Sequence, residues 1–273
     1  NKTVMIPWDI VHTDFSTASN NSKIFIQTSN GLSSGNTRFE AAMHGIYELI
    51  ERDAYSCWSL LPHKLKLQTK VDTQTINTPV SQSLIKRLND KEIKIGIWNI
   101  SSDINLPVFL VRVISKDAPP HDFVPPSSGM GCHINKDIAL SRAITEAIQT
   151  RLTFISGARD DIRSDAYPST MNAQAIYCKW EEAINEVPYL NYKDIGSHNF
   201  DSLMEDYEFT EKCLKDVGID TIAIVNLQKK EFDIPVVRVI IPGLEGSLSY
   251  KKMKLGERAL KTLSHNKDCG SWQ

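Results

Sequence analysis

Long apolar runs are missing from this chain. No stretch approaches the roughly 18 consecutive apolar residues that a membrane-spanning helix needs, so no transmembrane segment is expected. A strong charge bias is missing too: the net charge is −2 and basic clusters are short, which leaves no electrostatic footprint for nucleic acid. Cysteine occurs only at positions 57, 132, 178, 213 and 269, with no CxxC or comparable ligand spacing. That argues against structural zinc and for reduced thiols in a cytoplasmic protein. There is no signal peptide and no phosphate-binding loop of the Walker type. The first residue is Asn1 rather than Met, which leaves open that the sequence is a piece of a longer protein. What is present, 41% hydrophobic and 23% charged residues, suits a globular chain with a substantial core.

The most informative stretch is SSGNTRFEAAMHGIYELIERDAYSCWSLL, Ser33 to Leu61. Thr37 followed three residues later by Glu40 is a capping box and predicts a helix from about Arg38. Asn36, Glu40, His44, Glu48 and Glu51 then fall within an arc of roughly 120°. The apolar Phe39, Met43, Ile46, Leu49, Ile50, Cys57, Leu60 and Leu61 lie mostly opposite. Three carboxylates on one stripe repel unless a positive charge lies among them. Arg52 is the only cation near in sequence, which points to a hard divalent ion such as Mg2+. The plainer reading is an acidic face paired with Lys from elsewhere in the fold. His44 is either a general base or a hydrogen-bond partner of Glu40 or Glu48.

The rest of the chain repeats itself. Residues 1–30 read as strand and loop. After the acidic helix come a helix near Ser81–Asn89 and strands Ile93–Ile100 and Val108–Ile114. The loop SSGMGCH (Ser127–His133) then leads into a helix capped by Asn135 that runs to Gly157. A helix over Asp201–Val217 and strands Thr221–Leu227 and Val236–Ile241 follow. AAMHGIYELIE matches ALSRAITEAIQ, pairing Ala41 with Ala139, Ile46 with Ile144, Glu48 with Glu146, Ile50 with Ile148 and Glu51 with Gln149. In the strands Asn99 pairs with Asn226 and Arg112 with Arg238. The expected fold is therefore α/β (α+β): two related α-β-β units, about 31–115 and 127–243, packed with pseudo-two-fold symmetry and turning their polar helix faces to a shared cleft. On the second helix Arg142, Glu146, Gln149 and Thr153 share that polar face. Ile138, Ala147, Ile148, Leu152 and Ile155 are expected mostly in the core, and Glu146 has the alternative of a simple pairing with Arg142.

Three long motifs then resemble the YcaO family: SNGLSSGNTRFEAAMHGIYELIERDA (Ser29–Ala54), GCHINKDIALSRAITEAIQTRLTFISGARDD (Gly131–Asp161) and PVVRVIIPGLEG (Pro235–Gly246). The resemblance implies one YcaO-like domain over 1–273 that lacks the N-terminal part of the family domain, because no early Glu-x2-Glu-Arg element is present. It implies an enzyme that uses ATP and Mg2+ to activate a backbone amide of a peptide or protein. Carried over, Ser34, Asn36, Glu40, Arg52 and Gln149 contact ATP, with Arg151 a further phosphate candidate, and Glu48, Glu51 and Glu146 hold Mg2+. No residue is assigned to the chemical step. SNGLSSGN, PGLEG and LGERA (Leu255–Ala259) are more similar to members that work beside a TfuA-type partner, which implies thioamide formation. The alternatives are an azoline-forming cyclodehydratase, a scaffold subunit without turnover, and a phosphohydrolase on the same metal site. The implied partners are a peptide or protein substrate and a TfuA-like or peptide-recognition protein; a homodimer is left open.

Overall fold

The computed structural model describes residues 4–13, 25, 27–116, 124–157, 170–246 and 254–267. The chain forms two compact units, one built from 1–60 with 200–273 and the other from 61–199. Each contains a three-stranded antiparallel sheet with a long helix laid on it.

In the unit of 61–199, helix α4 (Pro79–Asp90) starts on a proline, whose fixed φ suits a first helical turn. It leads into β3 (Ile93–Asn99), β4 (Val108–Ser115) and β5 (Ser127–Cys132), paired in that order with Asn99 opposite Phe109 and Phe109 opposite Gly131. Asn135 caps α5 (Lys136–Ser156) by accepting from the N–H groups of Asp137 and Ile138, and Gly157 ends it in the left-handed region. Ala139, Leu140, Ala143, Ile144 and Ala147 of α5 pack on Ile97, Phe109, Val111 and Val113 of the sheet. The alanines bring the helix so close that a Cβ on Gly131 would stand 2.2 Å from the Ala139 carbonyl oxygen. At the helix's start, the fully buried Tyr192 donates its hydroxyl to Asp137 at 2.6 Å. The unit also holds α3 (His63–Gln68), α6 (Thr170–Asn185) and a short parallel pair, β2 (Val71–Asp72) with β6 (Leu190–Asn191).

In the other unit a short helix, α1 (Trp8–Val11), stands where strand and loop were expected over 1–30; of that stretch, residues 1–3, 14–24 and 26 lie outside the described residues. β1 (Leu32–Ser34) pairs with β8 (Val236–Ile240), which pairs with β7 (Ala223–Asn226). α2 (Arg38–Ser59) covers this sheet, and α7 (Leu203–Asp216) and α8 (Glu257–Lys267) pack against α2. α7 has a reciprocal capping box between Ser202 and Glu205.

The sequence repeats and the compact units are different segments. α2 of the first repeat lies on β8 of the second, and α5 of the second lies on β4 of the first. The register tests the residue matches. Asn226 faces Val237, which faces Ser33, just as Asn99 faces Phe109, which faces Gly131, the residue matched to Ser33. Asn99 and Asn226 are thus equivalent, and each accepts from the N–H two residues on at 3.2 Å. The pairing of Arg112 with Arg238 is corrected: Arg238 faces Leu32 as Leu110 faces Met130, so Leu110 is its counterpart. Pro107 and Pro235 fix this alignment, with two residues fewer between Pro235 and its arginine.

Candidate functional site

α2 begins as expected, with Thr37 accepting from the Glu40 N–H at 3.1 Å. The Glu40 carboxylate turns to Asn36 instead of closing the box on Thr37, accepting from its N–H at 3.0 Å and from its side-chain amide at 3.1 and 3.0 Å. Ser34 and Asn36 are exposed, so this end of the stripe offers polar groups to solvent. His44 is exposed and makes no hydrogen bond with Glu40 or Glu48 among the described residues.

Two turns further on the stripe runs inward. Glu48 is half-buried and Glu51 is buried. Glu48 accepts the Gly31 N–H on Oε2 at 2.9 Å, and its Oε1 stands 3.7 Å from the Arg52 guanidinium. From the strand below comes a cation that sequence proximity could not reveal. Arg238 of β8 is 2% exposed and donates Nη2 to the Thr28 carbonyl at 2.8 Å. Among the described residues its Nε and Nη1 have no hydrogen-bond partner, nor has Nε of Arg52. Burial lowers the Arg238 pKa, and the Glu48 carboxylate opposes that fall.

Carboxylates beside guanidiniums with unused N–H groups form a donor set of both signs. No three His, Cys, Asp or Glu side chains among the described residues are gathered closely enough to hold a metal ion unaided. Mg2+ is commonly held by one or two carboxylates together with phosphate oxygens, and guanidinium forks suit those same oxygens. The residues fit a Mg2+–nucleotide in that shared manner.

Directly after the stripe, Asp53 points to the other side of α2 and is fully buried. Desolvation raises its pKa, and Arg258 of α8 counters this with hydrogen bonds at 2.9, 3.1 and 2.9 Å. The Glu245 N–H also donates to Asp53, and the Glu245 carboxylate caps the start of α8 by accepting from Gly256 and Ala259 at 2.9 Å. Ser56 donates to the Gly246 carbonyl at 2.5 Å. PGLEG and LGERA are therefore the two halves of a clamp behind the acidic helix. An aspartate at a core-facing helix position was the available sign that a buried cation had to come from elsewhere.

On α5, Glu146 accepts the Met130 N–H on Oε2 at 2.8 Å, so the matched pair Glu48 and Glu146 each tie a helix to the strand before it. Among the described residues no ion pair joins Glu146 to Arg142. Gln149 is exposed. Arg151 turns away from it and donates to Ser115 of β4 at 3.0 Å. The core expectation fails at three positions: Ile138, Leu152 and Ile155 are 43%, 60% and 57% exposed, because no described element covers that side of α5. Cys132 is buried, and among the described residues Cys57, Cys132, Cys178 and Cys213 form no disulfide, while Cys269 lies outside the described residues.

The sequence matches the profile of the YcaO family, described as YcaO cyclodehydratase, ATP- and Mg2+-binding, over residues 1–245. The chain belongs to the YcaO family. A relative in the tfuA 3′ region of Rhizobium leguminosarum bv. trifolii is 31% identical over 264 residues, covering 95% of this YcaO chain and 62% of that protein. One from Methanothermobacter thermautotrophicus is 29% identical, covering 81% of this chain and 57% of that one. The chain thus spans about three fifths of the length of these relatives. Among solved structures, the heterocyclase TruD superposes with a TM-score of 0.67 at 21% identity, over 93% of this chain and 34% of its own. YcaO from Methanopyrus kandleri, bound with AMPPCP and Mg2+, gives 0.63 at 18% identity, over 82% of this chain and 58% of its own. At such identities the likeness concerns the YcaO fold. Among the described residues no helix is long and apolar enough to cross a membrane.

Proposed function

We propose that the protein activates a backbone amide of a peptide or protein by ATP-dependent phosphorylation of the amide oxygen. The observation that carries this reading is the set on α2 and β8: Glu48 and Glu51 beside Arg52 and the buried, under-bonded Arg238. A guanidinium left with two unpaired N–H groups in the interior is costly and calls for an anion. Glu48 and Glu51 are assigned to Mg2+, Ser34, Asn36 and Glu40 to the nucleotide, and Arg52 to phosphate. Glu146 and Gln149 are assigned the matching roles on α5. When bound, Mg2+ supplies charge neutralisation between phosphate oxygens.

An amide oxygen is a poor leaving group. After a nucleophile adds to the carbonyl carbon, the oxygen takes the γ-phosphoryl group and departs as phosphate, leaving ADP. The side chains' task is positioning and electrostatics: Glu48 is fixed by the Gly31 N–H, and the two arginines offset the charge gathering on phosphate. External sulfide as nucleophile yields a thioamide, and a Cys, Ser or Thr of the substrate yields an azoline. The relative in the tfuA 3′ region supports the thioamide product and a TfuA-like partner.

The test is ADP and phosphate release that requires a peptide substrate, with mass spectrometry of the product. Sulfur replacing oxygen marks the thioamide, and loss of one water marks the azoline. Glu48→Gln or Glu51→Gln should abolish release while leaving the fold intact. Turnover at the parent rate in both variants would refute the metal assignment, and ATP hydrolysis without peptide would indicate a phosphohydrolase.

A further inference from the structure

A cavity of about 560 Å3 lies in the groove between α4 and α5. Its walls are Leu84 and Leu88 of α4, Ile93 at the start of β3, and Ile144, Ile148, Leu152 and Ile155 of α5. Arg87, Lys91 and Arg151 stand at its edge with a single acid, Asp90. The side chains of Arg87 and Lys91 make no ion pair among the described residues. Leu152 and Ile155 are more than half exposed, although their spacing is that of a buried helix face.

The internal repeat shows what such a face normally meets. By the match of Ala41 to Ala139, Arg151, Leu152 and Ile155 are the counterparts of Asp53, Ala54 and Cys57. In the unit of 1–60 and 200–273 that face is covered by a helix, α8. Arg258 grips Asp53, Thr262 hydrogen-bonds Cys57, and Ala259 is fully buried. The unit of 61–199 has the face but no covering helix among the described residues, and the charge at its anchoring position is reversed.

We propose that the α4–α5 groove seats an amphipathic helix of another protein, apolar on one side and carrying a carboxylate opposite Arg151, as α8 carries Arg258 opposite Asp53. Apolar anchors one and two turns apart enter between Leu84, Leu88, Ile148 and Leu152, and further acidic residues meet Arg87 and Lys91. A second copy of this chain is a poor occupant: a symmetric contact would set these same three cations against their own duplicates.

The probe is a labelled helical peptide of about 18 residues with Leu at i, i+3, i+4 and i+7 and Glu and Ala elsewhere, compared with its Lys-for-Glu twin. The full chain should bind the Glu peptide saturably and at least about tenfold more tightly than the Lys peptide, with the difference shrinking as salt rises. Leu152→Asp with Ile155→Asp should abolish binding without disturbing the fold, since both side chains are exposed. Arg87→Glu with Lys91→Glu should reverse the preference between the peptides. The proposal is overturned by equal affinity for the two peptides, by no saturable binding of either, or by binding that survives the Asp pair. It is equally overturned by a dimer in light scattering that the Asp pair dissolves, which would make the occupant a second copy.

Discussion

α2 crosses β1 with a glycine on the helix, Gly45, and a serine on the strand, Ser33, whereas α5 crosses β5 with alanine on the helix, Ala143, and glycine on the strand, Gly131. A Cβ on Gly45 would meet Val239 at 2.7 Å and the Ser33 hydroxyl at 2.8 Å, and one on Gly131 would strike the Ala139 carbonyl. At this matched pair of positions each crossing lacks one side chain, from the helix in one unit and from the strand in the other. The two sites still differ in bonding, because the Ser33 hydroxyl donates to the Ala41 carbonyl at 2.6 Å, the oxygen that a Gly131 substituent would strike in its counterpart. The same comparison sorts the buried charges. Asp53 stands where α5 has Arg151, and Arg238 where β4 has the apolar Leu110. Among the described residues the buried charged side chains Glu51, Asp53, Asp206, Arg238 and Glu245 lie in the unit that carries the acidic stripe, and Lys70 in the other.

Breaking the ionic half of this comparison should have the largest effect. Arg258→Met leaves Asp53 buried without its cation and should cost about 3–5 kcal/mol in urea unfolding. Arg151→Met at the matched position loses a hydrogen bond to Ser115 and should cost no more than about 1.5 kcal/mol. A pH titration comes next. Burial, with Arg142 adding to it, lowers the His133 pKa to about 4, and the Asn135 N–H donates to its Nδ1. The folded state thus prefers the neutral ring, so the contribution is full above about pH 6.5 and is lost as pH falls toward 4, at up to about 1.4 kcal/mol per pH unit. His133→Asn should flatten that part of the stability curve; the α2 counterpart, Gly35, has nothing to titrate.

Exchanging the crossing residues should have a smaller effect. Gly131→Ser imposes the α2 pattern where Ala143 already fills the space and should destabilise by about 1–3 kcal/mol, while Ser33→Ala should cost about 1. The smallest effect on stability is expected for Arg238→Leu, which copies Leu110 into β8. It should leave the melting temperature unchanged or higher, because a buried guanidinium with two unpaired N–H groups disappears. ATP turnover should nevertheless fall at least about tenfold if the cation answers phosphate. Loss of stability with unchanged turnover would make Arg238 structural.

The stripe of α2 was legible because helical periodicity and capping are local: Thr37, Glu40, Glu48 and Glu51 lie where 3.6-residue turns put them. The repeat was legible through Ala41, Ile46 and Glu48 and their partners, down to the equivalence of Asn99 and Asn226. Arg238 and Arg258 were not legible as partners of α2, since nothing local ties a residue to one about 200 positions away. The exposure of Leu152 and Ile155 was hidden for the opposite reason: their pattern is that of a buried face, and periodicity cannot say whether the covering partner belongs to the same chain.

The clamp between Asp53 and Arg258 joins residues 205 positions apart, and Ser56 reaches Gly246 across 190. The unit of 61–199 is contiguous and can close as soon as it leaves the ribosome, whereas α2 is made before β7, β8 and α8 and must wait for them before its buried aspartate meets a cation. The helix bearing the acidic stripe is thus synthesised before the elements that secure it. During that wait Asp53 and Glu48 belong to a nascent chain in which Arg258 and Arg238 have not yet been placed beside them.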